Sequence, residues 1–228
     1  MNKLFLILLL TFGTNAFGQL LPKTAKSPSD FIPTGYVVFS EIRGDLNKDN
    51  KEDYVFIIKG TDENKFYNDE YLGELDRNRR GIIIAINNQD NYELVLENRE
   101  CFSSENEDGG VYFAPDLDAS IKKGNLILHY AHGRYGYWSY NFRYQNSDFE
   151  LIGFDRSENY GPIVQRKISI NFMTKKILTK ENINRYADGE DEIFKESWRT
   201  FTLSNLTKLR GISDFDEFDV EQLLGTAE

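Results

Sequence analysis

The chain reads as a mainly β protein: an antiparallel-rich sheet structure, as a sandwich, a barrel or a partial propeller-like form, with short helical segments. Three observations predict this. Aromatic residues are abundant, with 17 Phe, 13 Tyr and 2 Trp among 228 residues, and such side chains favour strands. Apolar and polar residues alternate at period two, most clearly where Ile168, Ile170 and Phe172 face away from Lys167, Ser169 and Asn171. Turn residues such as Asn87-Asn88-Gln89-Asp90-Asn91 punctuate the apolar segments, with no βαβ rhythm and no sustained helical period.

The elements follow in order. Residues 1–18 read as a secretory signal, with Lys3 ahead of an apolar run from Leu4 to Leu10 and a small-x-small site, Ala16-Phe17-Gly18, before Gln19. That run is too short to span a bilayer core of about 30 Å, and no later segment is longer, so the mature chain is expected to have no membrane span. The sole cysteine, Cys101, lies far from the cleavage region, which excludes a lipid-modified N-terminal cysteine. The expected destination is therefore the periplasm or the extracellular space, not as a lipoprotein. In composition, rich in Asn, Lys and Ile, the chain looks like a bacterial exported protein. Residues 19–33, with Pro22, Pro28 and Pro33, read as a flexible lead-in. Residues 34–212 form a single β-rich domain, and 213–228 an acidic tail with a short helix capped by Ser213 or Asp214.

Strands are expected over 36–42, 54–59, 81–86, 92–96, 126–130, 137–144, 149–154, 167–173, 177–178 and 198–202. Residues 61–80 are polar and read as a long loop or a short helix around 69–75. Residues 181–196 are charged and weakly helical at best. Removing the first 18 residues leaves 210, ample for a core, and takes the formal charge from −10 to −11 with the loss of Lys3. Such an acidic chain is a poor partner for nucleic acid, whose phosphates need clustered Lys and Arg. One cysteine permits no internal disulfide, and Cys101 reads as a small buried hydrophobe.

The most informative stretch is Asp45-Leu46-Asn47-Lys48-Asp49-Asn50-Lys51-Glu52-Asp53. Oxygen-bearing side chains recur at every second place, and calcium takes six to eight oxygens at about 2.3–2.6 Å. Set against an EF-hand loop, Asp45, Asn47, Asp49, Lys51 and Asp53 take the first, third, fifth, seventh and ninth places, Lys51 through its carbonyl. Asn50 stands where glycine is usual, and asparagine tolerates the left-handed conformation that place requires. Phe56 stands where the bidentate glutamate belongs, so this is no EF-hand. Residues 36–60 resemble the hairpin-borne calcium loops of integrin-type FG-GAP and related VCBS propeller repeats, which carry glycine at the Asn50 place. The resemblance implies calcium as the cofactor, held by Asp45, Asn47, Asp49, Lys51 and Asp53, in a bracing rather than a catalytic role.

Trp138, Tyr140, Phe142 and Tyr144 share one strand face, read as a core face. Tyr135, Tyr137 and Trp138, around Gly136, are the candidate ligand contacts. The two histidines, His129 and His132, are expected on opposite faces. The acidic run from Glu105 to Asp108 reads as a solvated loop, and that from Asp214 to Asp219 as an amphipathic edge. No zinc-protease, nucleophile-elbow or phosphate-loop motif is present, and no catalytic residue is assigned. The expectation is an exported, calcium-stabilised β-rich protein acting as a non-enzymatic binding or envelope module, its partner an unknown protein or glycan. The alternatives are an envelope hydrolase acting on glycan and an acidic inhibitor or immunity-type protein.

Overall fold

Two antiparallel sheets of unequal width face each other across one hydrophobic core in the computed structural model, which describes residues 20–106 and 115–226. The signal segment lies outside the described residues, as do Glu107 and Asp108 of the first acidic run. The narrower sheet has the strand order β1-β7-β6-β3-β2: β1 (Thr24–Ala25), β2 (Tyr36–Gly44), β3 (Asp53–Gly60), β6 (Arg80–Asn87) and β7 (Tyr92–Phe102). Between β3 and β6 a small hairpin projects, β4 (Phe66–Asp69) and β5 (Gly73–Asp76). The wider sheet is an eight-stranded meander in strict chain order: β8 (Asp116–Lys122), β9 (Asn125–Ala131), β10 (Gly136–Gln145), β11 (Asp148–Tyr160), β12 (Ile163–Asn171), β13 (Lys176–Asn182), β14 (Phe194–Thr202) and β15 (Gly225–Thr226). This is a sandwich-like β protein, and among the described residues its helical segments are short 3-10 turns.

Period-two patterning sorts the side chains. In β3, Val55 and Ile57 face the wider sheet, while Phe56 and Ile58 face the other way; β6 splits Ile82, Ile84 and Ile86 from Ile83 and Ala85 in the same manner. Both faces of β3 and β6 are thus buried, which fits their unbroken apolar runs. The outer face is covered by the N-terminal segment. Residues read as a flexible lead-in instead pack down: β1 pairs with β7, Pro28–Phe31 forms a 3-10 turn, and Phe31 is fully buried against Phe56, Ile58, Ile83 and Ala85. The polar look of that segment hid its two apolar anchors, Phe31 and Leu21.

The 61–80 region forms the β4–β5 hairpin rather than a helix. The Asp69 carboxylate accepts the N–H groups of Tyr71 and Leu72 at 2.8 and 3.0 Å, and Gly73 takes a positive φ of 80°, so local turn chemistry wins over helical propensity. After β13, residues 183–193 make an excursion closed by the Ile183 N–H donating to the Ile193 carbonyl at 2.7 Å. The tail is neither loose nor α-helical. Phe215 and Val220 are buried in the main core, and among the tail's described residues only Val220–Leu223 coils, as a 3-10 turn capped by Asp219. The five-stranded sheet leaves part of the wider sheet's inner face bare, and residues 203–224 cover it with Leu209, Ile212, Phe215, Phe218 and Val220.

Candidate binding groove and the Asp45 loop

The Asp45 loop joins β2 to β3 and is closed by its own hydrogen bonds. The Asp45 carboxylate accepts the N–H groups of Lys48, Asp49 and Asn50 at 2.6, 3.1 and 2.9 Å. Asn47 Oδ1 accepts the Asp49 N–H at 3.0 Å, and Asp49 Oδ1 the Lys51 N–H at 2.9 Å. Lys48 and Asn50 sit in the left-handed region, at φ 67° and 64°. The Lys51 ammonium lies 3.1 Å from Asp49 Oδ2. Partial desolvation raises the Asp49 pKa, but Lys51 and Asn47 outweigh it and the net shift is downward.

Asp53 is fully buried. Its Oδ2 accepts the Leu46 N–H at 2.7 Å, and its Oδ1 the Asn87 N–H at 2.9 Å, tying the loop to the end of β6. Burial pushes its carboxyl above the ordinary range, against the two amide bonds. Leu46, 1% exposed, plugs into the core between the sheets. The loop also abuts the β8–β9 turn, where Gly124 approaches Lys48 and the Asp45 carbonyl so closely that a Cβ would lie 3.2 and 3.4 Å from them. The loop therefore braces one sheet against the other. Its oxygens are the hard donors calcium uses, yet among the described residues no three His, Cys, Asp or Glu side chains converge on a metal-sized point.

Of the three aromatic candidates, the structure brings two together. Trp138 and Tyr135 line a groove of about 590 Å³ between the wider sheet and the tail. Tyr137 points to the opposite face and packs on the His129 ring at 5.1 Å. Gly136 separates the two directions at φ 106°; any Cβ there would sit 1.9 Å from the Ser157 carbonyl oxygen, so only glycine fits. His132 lies on the groove side, beside Tyr135 and Trp138, so the histidines do occupy opposite faces.

Inner-face residues of β10, β11 and β12 form the groove floor: Trp138, Tyr140, Phe154, Ile168 and Ile170. Trp138 is half-buried and stacks on Tyr130 with centroids 5.4 Å apart. Phe215, Phe218 and Val220 form the facing wall. That wall is anchored: the Phe215 N–H donates to the Cys101 carbonyl at 2.9 Å, and Asp214 pairs with Arg79 at 2.8 Å. Phe215 also packs on Phe102 and Tyr140, with centroids 5.1 and 5.0 Å away. Because Phe215, Phe218 and Val220 turn inward, the intervening Asp216, Asp219 and Glu221 line the groove as carboxylates. On the other side Glu158 is already engaged by Arg156, at 3.2 Å. Burial raises the Tyr140 hydroxyl pKa, and the charge of Asp216 raises it further. Tyr130 carries a buried hydroxyl with no hydrogen-bond partner among the described residues. Cys101 is fully buried, and burial pushes its thiol far up, so it is inert packing.

The tail's contribution to this groove was not foreseen from sequence. Its signal was present, since Phe215, Phe218 and Val220 interleave with Asp216, Asp219 and Glu221 in a two-faced pattern. No protein-family model, curated protein or solved structure matches the chain.

Proposed function

We propose that the chain is an exported, non-enzymatic binding module that receives a basic, partly apolar segment of a partner protein in the groove between β10–β12 and the tail. The observation that carries this reading is the pairing of an aromatic floor with a carboxylate wall. Trp138, Tyr140 and Phe154 offer apolar and π surface, while Asp216, Asp219 and Glu221 make the facing wall acidic; among the described lining residues the Lys/Arg side is Arg156, itself held by Glu158. A Lys- or Arg-bearing peptide satisfies both, because its stems lie on the rings and its heads meet the carboxylates. The formal charge of −10 adds long-range attraction for such a partner. This joins the binding-module and the acidic-inhibitor expectations in one site. The Asp45 loop serves as the brace, with calcium the ion its donors suit. Lys51 already sits on Asp49 and would compete with an ion there, so the expected affinity is weak, about 10⁻⁴–10⁻³ M.

Calorimetric titration with a synthetic peptide of alternating lysine and leucine tests the groove. It should bind the wild type and lose at least about tenfold in affinity, about 1.4 kcal/mol, to an Asp216→Asn/Asp219→Asn/Glu221→Gln variant. Equal affinity for a glutamate–leucine peptide, or no loss in the triple variant, would overturn the proposal.

A further inference from the structure

The outer face of the wider sheet, away from the groove, carries a second concave feature. A depression of about 380 Å³ is lined by Ser169, Asn171, Thr174, Lys176, Leu178 and Trp198. A second, of about 190 Å³, shares Ser169 and Leu178 and continues past Lys167 and Lys180 to Tyr137. Register explains the continuity, since Trp198 pairs with Leu178 and Leu178 with Ser169, in adjacent strands. From β14 to β10 the trough crosses four strand spacings, roughly 19 Å. That length suits a chain of linked rings rather than one small molecule.

Trp198 is 64% exposed on a strand whose next neighbour, β15, pairs only with Phe201 and Thr202. An indole left this open contributes little to the core, and its flat face is free to stack. Hydroxyl and amide side chains, Ser169, Asn171 and Thr174, surround it, together with Lys176. Cations gather here although the chain as a whole is acidic: Lys167, Lys176, Lys180 and Arg156 line the trough against Asp155, with Lys180 paired to Glu196 at 2.5 Å and Arg156 to Glu158 at 3.2 Å.

We infer that this trough binds a glycan chain bearing carboxylates, a polysaccharide containing uronic acid. Sugar rings stack on Trp198, hydroxyls meet Ser169, Asn171 and Thr174, and the carboxylates meet Lys176 and Lys167. Single-stranded nucleic acid also joins rings to negative charge, but it stacks successive bases on several aromatic faces, whereas the larger depression offers Trp198 as its one ring, set among Ser169, Asn171 and Thr174. The trough opens on the sheet face opposite the groove, with Arg156 and Ile168 bordering both.

The two tryptophans make the test clean. In a Trp138→Phe variant all indole fluorescence reports Trp198. Oligogalacturonate hexamer should change that emission saturably, whereas cellohexaose should bind at least about tenfold more weakly. Trp198→Ala and Lys176→Ala should each lose at least about tenfold in calorimetric affinity while melting within a degree or two of wild type. Failure of the uronate to bind, equal binding of the neutral hexamer, tighter binding of a six-nucleotide DNA, or undiminished binding to Trp198→Ala would each overturn the inference.

Discussion

Asp53 shows how much one side chain sets at the β2–β3 junction. Its place in an alternating acidic series reads as that of a metal ligand, and the structure finds it buried with each oxygen on a backbone amide, Leu46 on one side and Asn87 on the other. Sequence spacing identified the curl of the loop and the positive φ at Asn50, because both are local. It did not show where Asp53 points, because Asn87 reaches it from a strand 34 residues away in sequence. Since hydrogen bonds already close the loop, calcium is expected to add to its stability rather than create it. At about 10 mM calcium and the weak affinity above, the gain is about 1.4–2.7 kcal/mol, a rise of a few degrees in melting temperature. Melting in calcium and in chelator checks this. The shift should vanish in Asp49→Ala, and an equal shift in that variant would place the ion elsewhere.

At the scale of elements, strands were legible wherever β-branched and aromatic residues carried them, as unbroken apolar runs in β3 and β6 and as alternation in β10 and β12. β8 escaped notice although Leu117, Ala119 and Ile121 alternate with Asp116, Asp118 and Ser120. Asp and Ser are poor strand formers, and the strand is made by pairing with β9. The β4–β5 hairpin escaped for a related reason, being held by turn side chains and by one ion pair. Lys59 of β3 lies 2.9 Å from Asp76 at the end of β5, and both side chains are largely buried. Burial raises the Asp76 pKa, but the Asn78 amides and Lys59 outweigh it and leave the carboxyl below its ordinary value of 3.8. A depressed carboxyl stabilises the fold above its unfolded pKa, and that contribution is lost as pH falls through the folded value. Asp76→Asn is therefore expected to cost about 1–3 kcal/mol at pH 7, with the cost shrinking as the pH is taken well below 3.8 and through the depressed folded value. Urea unfolding at both pH values measures it, and a cost undiminished in acid would contradict the assignment.

For the molecule as a whole, the unequal widths of the two sheets are the decisive feature. Eight strands facing five leave inner surface uncovered, and the tail is drawn across it by Phe215, Phe218 and Val220. The groove exists because that cover is partial. None of this was legible from any single segment, since the floor, the wall and the anchor at Cys101 come from distant stretches joined only by folding. What the sequence did contain was the tail's alternation of Phe with Asp and Glu, which places apolar groups on the core and carboxylates in the cleft. The most direct measurement is the emission of Trp138, isolated in a Trp198→Phe variant, during titration with the lysine–leucine peptide at low and high salt. A saturable change in Trp138 emission, weakened at least about tenfold by raised salt as the carboxylate wall is screened, is the expected result; peptide binding that leaves Trp138 unchanged would contradict the account.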